Sequence, residues 1–126
     1  MNDHDIEQEI QAKGLTAPRV TPDDIEANIT QEVYFTAADG IRGSYGYGHG
    51  GVPNHMAFAL LTFCVLILNN GFTVTGESAC ASPENFNAEI GRRIARENAV
   101  AKVWPLLGFR LRDKLASVQS NQASAP

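Results

Sequence analysis

The chain has 126 residues, 44% of them hydrophobic and 19% charged, with a formal net charge of −4. That length supplies one hydrophobic core and not two ordinary ones, and the globular composition excludes wholesale disorder. The mild acidity argues against general nucleic-acid binding and is too small for a DNA mimic.

Asp3 to Lys13 places Ile6 and Ile10 at i,i+4 with Gly14 behind them, which predicts a short amphipathic helix with a glycine stop. Thr21-Pro22-Asp23-Asp24 is a second start signal: Thr21 can cap, Pro22 loses no hydrogen bond at the first helical position, and Asp24 can complete a capping-box exchange. Ile25 and Ile29 then share a side. Val33 to Thr36 is strand-prone and is a candidate third strand. From Asp39 to His55 the chain carries six glycines and is expected to be a flexible loop, because ordering such a segment costs too much entropy. Its Tyr45, Tyr47, His49 and His55 suggest a lid or a metal site. Two histidines in such a loop fall short of the four ligands a structural site needs, so no metal is expected.

Leu61 to Leu68 reads as a strand, closed by an Asn70-Gly71 two-residue turn onto a partner running to Ala79. With that turn, Phe63, Val65, Ile67, Phe72 and Val74 share one face. The other face, with Cys64, Leu66 and Leu68, then needs a cover, from the amino-terminal helices or from another subunit. Ser82-Pro83-Glu84 is the expected start of a long helix. Phe86, Ile90, Ile94, Ala101, Trp104, Leu111 and Leu115 fall on one side of it as an apolar seam. Pro105 predicts a kink or break between Val103 and Gly108. A second stripe of Ala88, Ala95 and Ala99, with Gly91 nearby, would let another helix approach closely. Residues 118–126 are expected to be a disordered tail.

These elements give one α+β domain over residues 1–117. A small antiparallel sheet of two or three strands, built on the hairpin at 61–79, packs on a long kinked carboxy-terminal helix. Two short acidic amino-terminal helices cover the other side. A lone hairpin with a two-sided apolar strand is marginal in water, so a homo-oligomer, most simply a dimer, is expected.

Charge is unevenly placed. Residues 1–40 hold nine acids against Lys13 and Arg19, a net −7, and residues 41–126 hold five acids against eight basic residues, a net +3. Arg92, Arg93 and Arg96 form a basic cluster able to hold a nucleotide phosphate or an acidic partner surface bidentately. Ordinary pairing along the helix surface with Glu89 and Glu97 accounts for most of that pattern. Glu97 is singled out because it lies on the expected seam, where an unpaired carboxylate is costly; Arg93, one turn back, is its expected partner, with Thr73 or Thr75 of the hairpin as the alternatives.

No catalytic constellation is found. Gly76-Glu77-Ser78-Ala79-Cys80 resembles a nucleophile elbow but has Cys80 where a glycine is required, and no histidine follows Ser78. Cys80 lacks a base, and Cys64 and Cys80 have no metal-binding spacing. The chain is therefore expected not to be an enzyme and to carry no cofactor. The start MNDHDIEQEI is acidic where a signal peptide would be basic, and the apolar run Met56 to Leu68 is too short to span a bilayer as a helix, so a cytoplasmic location with reduced thiols is expected.

The run LTFCVLILNNGFTVTGESACASPENFNAEIGRRIARENAVAKVWPLLGF, with APRVTPDDIEANI and YFTAADG upstream, resembles a family of small tailed-phage and prophage proteins. That family is named after gene product forty-nine of phage N-four and gene sixty-six of a related Shigella phage. The resemblance covers about residues 5–115; its specific part is NGFTVTGESAC followed by NFNAEIGRRIA. It implies a phage or prophage gene acting in the cytoplasm of an infected or lysogenic bacterial host, and it transfers no functional residue. The expected function is a non-enzymatic accessory protein that binds a host macromolecule, most simply a host protein. The alternatives are a binding protein that sequesters a nucleotide signal through Arg92, Arg93 or Arg96, and a virion-associated structural protein.

Overall fold

The computed structural model describes residues 2–46 and 50–123. Its contacts gather into two compact units, one of Ile29–Lys102 and one of Met1–Asn28 with Val103–Pro126.

The first unit is built on an antiparallel sheet of β1 (Ile29–Thr36), β2 (Leu61–Leu68) and β3 (Thr73–Ala79), in that order. Tyr34 pairs with Cys64 and Val33 with Val65, and the register shifts between Ile29 and Gln31, where the Thr30 hydroxyl donates to the Ile67 carbonyl at 2.9 Å. The third strand is therefore real and begins four residues before the expected Val33. Ile29, expected on a helix, belongs to it.

The hairpin is present, but its loop has three residues, Asn69, Asn70 and Gly71. Leu68 N–H donates to Phe72 O and Gly71 N–H to Leu68 O, both at 2.9 Å. Gly71 takes φ +87, the left-handed conformation that such loops require at this position. One additional loop residue reverses the expected parity of the second strand. Val74 therefore lies opposite Leu66, and Gly76 opposite Cys64, on the face that also carries Thr62 and Leu68. All six are buried.

The cover over that face is the start of α4 (Ala88–Ala123), and it docks by its small residues. Gly91, Ala95 and Ala99 are buried, whereas Ile90 and Ile94 of the expected seam are 49% and 42% exposed. The cause is Gly76. A Cβ built there would stand 2.2 Å from the Ala95 carbonyl oxygen and 2.3 Å from the Ala99 nitrogen, so strand and helix touch backbone to backbone. At that separation only hydrogen or methyl side chains fit on the helix. The small stripe thus faces the sheet of its own chain. Cys64 and Leu66 are fully buried, which removes the reason given for expecting a dimer on this face.

The opposite face of the sheet is only partly covered. Val33 and Phe35 are 47% and 39% exposed, Phe63, Val65 and Ile67 are half-buried, and the Phe35 and Phe63 rings lie 5.6 Å apart.

Two other expectations change in this unit. Asp39–Tyr45, read as flexible loop, belongs to α3 (Ala37–Tyr45). Thr36 and Asp39 form a reciprocal capping box, with the Thr36 hydroxyl accepting from Asp39 N–H at 3.1 Å and the Asp39 carboxylate from Thr36 N–H at 3.0 Å. Those bonds offset the helix penalty of Gly40 and Gly43, about 1 kcal/mol each. Met56–Leu60 forms a short 3₁₀ segment capped by His55 Nδ1, while Tyr47 and His49 lie outside the described residues. At the long helix, Ser82 makes no side-chain cap. Pro83–Asn85 is a 3₁₀ turn, and Asn87 caps α4 by accepting from Ile90 N–H at 3.0 Å.

The second unit contains α1 (Asp3–Ala12), α2 (Pro22–Asn28) and the later part of α4. The Thr21–Asp24 box forms as expected, at 2.9 and 3.1 Å, and Ile25 is buried. Arg19 grips the Glu7 carboxylate with two nitrogens at 2.6 and 2.8 Å, and the Trp104 indole donates to Asp3 at 3.0 Å. Pro105 lies inside α4 without breaking it, and the helix runs through Ala123, past the Ser117 limit expected. No glycine or proline lies between Gly108 and Pro126 to stop it. The remainder of the expected tail, 124–126, lies outside the described residues.

Candidate functional site

The four residues singled out from sequence, Arg92, Arg93, Arg96 and Glu97, occupy the second and third turns of α4, and the helix sends them in different directions. Arg96 reaches β1, where its Nε donates to Glu32 Oε1 at 3.1 Å, and Glu32 Oε2 accepts from the Tyr34 hydroxyl at 2.7 Å. Tyr34 lies on the α4-facing side of β1, opposite Cys64, so this relay stands beside the buried sheet core. The Tyr34 hydrogen bond holds the Glu32 carboxyl below its ordinary value, against burial and with help from Arg96. Burial, and then the same bond, push the Tyr34 phenol far up, so it stays a donor. Burial also raises the Cys64 thiol, which makes it a packing group and not a nucleophile.

Arg93 turns outward. Its nearest carboxylate is Glu89, at 3.6 Å in an exposed i,i+4 pair, rather than Glu97. Such pairs contribute little to stability. Glu97 is itself exposed, because the stretch of the expected seam around it, Ile90, Ile94 and Ala101, faces solvent.

Arg92 is placed differently. It lines a cleft of about 90 Å³ with Tyr34, Phe35, Thr36, Asp39, Thr62, Phe86 and Ala88. Arg92 makes no ion pair with any carboxylate among the described residues. Asp39, across the cleft, is paired with Arg42, and the Thr36 backbone bond followed by Arg42 keeps its carboxyl below the usual range. Thr62 is 3% exposed, and its hydroxyl has no hydrogen-bond partner. That hydroxyl lies 3.2 Å from where a Cβ on Gly91 would stand, one residue before Arg92.

The arginine cluster is thus split among three settings: a structural relay, a surface pair and a cleft. Thr62, Phe86 and Asp39 were not anticipated as neighbours of Arg92. Thr62 had a signal in the sequence, as the one hydroxyl in alternation with Cys64, Leu66 and Leu68. Asp39 and Phe86 are brought in by α3 and by the turn before α4, whose positions strand and helix periodicity do not report. No group of three or more histidine, cysteine or acidic side chains suited to a metal is found among the described residues. Cys80 donates to the Ser82 carbonyl at 3.1 Å. Among the described residues no helix is long and apolar enough to cross a membrane.

A family model described as phage protein (N4 Gp49/phage Sf6 gene 66) family matches residues 20–115. No curated protein and no solved structure matches the chain.

Proposed function

This chain belongs to the N4 Gp49/phage Sf6 gene 66 family of phage proteins, and from that premise we propose that it is a non-enzymatic accessory protein that binds a host protein during infection. The supporting observation is the open face of the sheet. Val33 and Phe35 are exposed there beside half-buried Phe63, Val65 and Ile67, and Glu77 is the one ionisable side chain in the same alternation. An apolar face with a polar border suits a protein surface far better than a phosphate backbone.

Affinity purification of the tagged chain from phage-infected cells, beside a Val33→Lys variant, tests this reading. A reproducible host protein recovered by the parent and lost by the variant, with unchanged thermal stability, is the expected result. Recovery of no reproducible partner, or full retention by Val33→Lys, counts against it. Mass spectrometry of purified particles provides the contrast, since stoichiometric incorporation there would make the chain a virion component instead. Light scattering on the same sample reads self-association through this face.

A further inference from the structure

We infer that the cleft between β2, α3 and the first turns of α4 binds the phosphate group of a small organic phosphate, with Arg92 and Thr62 as its anchors. The site meets the open sheet face at Phe35, which lines both, but none of its anchors lies on that face and it does not require a host protein to bind there.

Three observations converge. Thr62 carries a hydroxyl buried without a partner, an arrangement that is destabilising in a protein interior unless something else satisfies it. A valine there would keep the shape without that cost. The hydroxyl is satisfied if an acceptor oxygen enters the cleft and the side chain donates to it.

Arg92, at the same cleft, is a guanidinium free of any carboxylate among the described residues. Both nearby acids are already balanced, Asp39 by Arg42 and Glu32 by Arg96, so Arg92 leaves the site with one positive charge in excess. Ala88, the first residue of the 36-residue α4, is also in the cleft wall and brings the positive end of the helix dipole to it. A planar fork, a helix amino terminus and a hydroxyl donor together match a tetrahedral oxyanion.

Size decides how much of a ligand fits. About 90 Å³ accommodates a phosphate and little more, so the rest of the molecule must leave through the mouth. Phe86, half-buried, lines that cleft, and its ring comes 3.8 Å from where a Gly91 Cβ would stand. An aromatic side chain beside a phosphate site favours a ligand with a flat ring, as in a nucleotide, over inorganic phosphate.

The test is a thermal-shift and calorimetry series on the full chain with adenosine monophosphate, a cyclic dinucleotide and inorganic phosphate as probes, each to about 10 mM. At least one nucleotide should raise the melting temperature by about 5 °C or more at saturation. Arg92→Gln should weaken its binding about tenfold or more, and Thr62→Val should weaken it while leaving the unliganded protein as stable or more so. Arg93→Gln should bind as the parent does. Because Thr62→Val removes an unsatisfied group, loss of binding in it cannot be put down to unfolding. No shift with either nucleotide, equal affinity for inorganic phosphate, or parental binding by Arg92→Gln would each overturn the assignment. Val33→Lys, which removes the sheet-face partner in the preceding proposal, should leave nucleotide binding unchanged.

Discussion

Gly76→Ala is the sharpest test of how the sheet and α4 are joined. The added methyl would sit 2.2 Å from the Ala95 carbonyl oxygen, 2.3 Å from the Ala99 nitrogen and 2.9 Å from the Ala99 Cα. All three are backbone atoms, so no side-chain rotation relieves the contact. Restoring an ordinary 3.4 Å separation needs a local retreat of α4 by about 1.2 Å. That retreat thins the packing over Cys64, Leu66 and Val74, all buried beneath the helix. Overpacking in cores usually costs 1–3 kcal/mol, and this site lies at or above the top of that range, at about 3 kcal/mol or more. Urea unfolding followed by circular dichroism measures it as a lower midpoint with an unchanged slope. Gly108→Ala is the matched control. That glycine is helical with nothing within 4 Å of the added methyl, so alanine should stabilise by up to about 1 kcal/mol. A Gly76→Ala unfolding free energy within about 0.5 kcal/mol of the parent's would refute the backbone-contact account.

Leu66→Ala, at a fully buried position on the same face, should cost about 2–5 kcal/mol in the same assay, whereas a surface-like loss would show that α4 does not cover it. Asn87→Ala should cost about 1 kcal/mol as a lost cap, and Ser82→Ala should stay within about 0.5 kcal/mol; the reverse order would restore Ser82 as the helix start. Glu32 is held below its ordinary value of 4.5, so the unfolded chain takes up its proton first as pH falls. Its contribution to stability is therefore complete above about pH 5 and fades as pH drops through the folded-state value. The urea midpoint of Glu32→Gln should fall less steeply than the parent's below about pH 4.5, and parallel curves would show that the Tyr34–Glu32–Arg96 relay has no net effect.

The local signals were legible where chemistry is confined to a few neighbours. The Thr21-Pro22-Asp24 start, the Asn-Gly hairpin and the long helix all follow from such signals and are all present. What failed was whatever depended on a count or on a distant backbone. A three-residue instead of a two-residue loop moved Val74 to the other face. The larger residues Ile90 and Ile94 attracted the core assignment, although Gly76, on another element, leaves room only for alanines. The capping box at Thr36 and Asp39 was present in the sequence but was outweighed by the glycines that follow. For the site, Arg92 was named with its neighbours, but nothing in helical spacing distinguishes an arginine in a cleft from one paired on the surface. That distinction depends on Thr62, thirty residues away and on another element.

The order of strands in the sheet repeats their order along the chain, with no crossover. Each strand therefore finds its partner in the next segment of sequence, and the β2–β3 pair closes over only three loop residues. Hairpins of this kind form in roughly 1–10 μs, and sheets without distant pairings fold faster than those that need them. The hairpin should thus be the first long-range pairing to form on the nascent chain, and it becomes persistent only when the alanines of α4 settle on the Gly76 groove and cover Cys64 and Leu66.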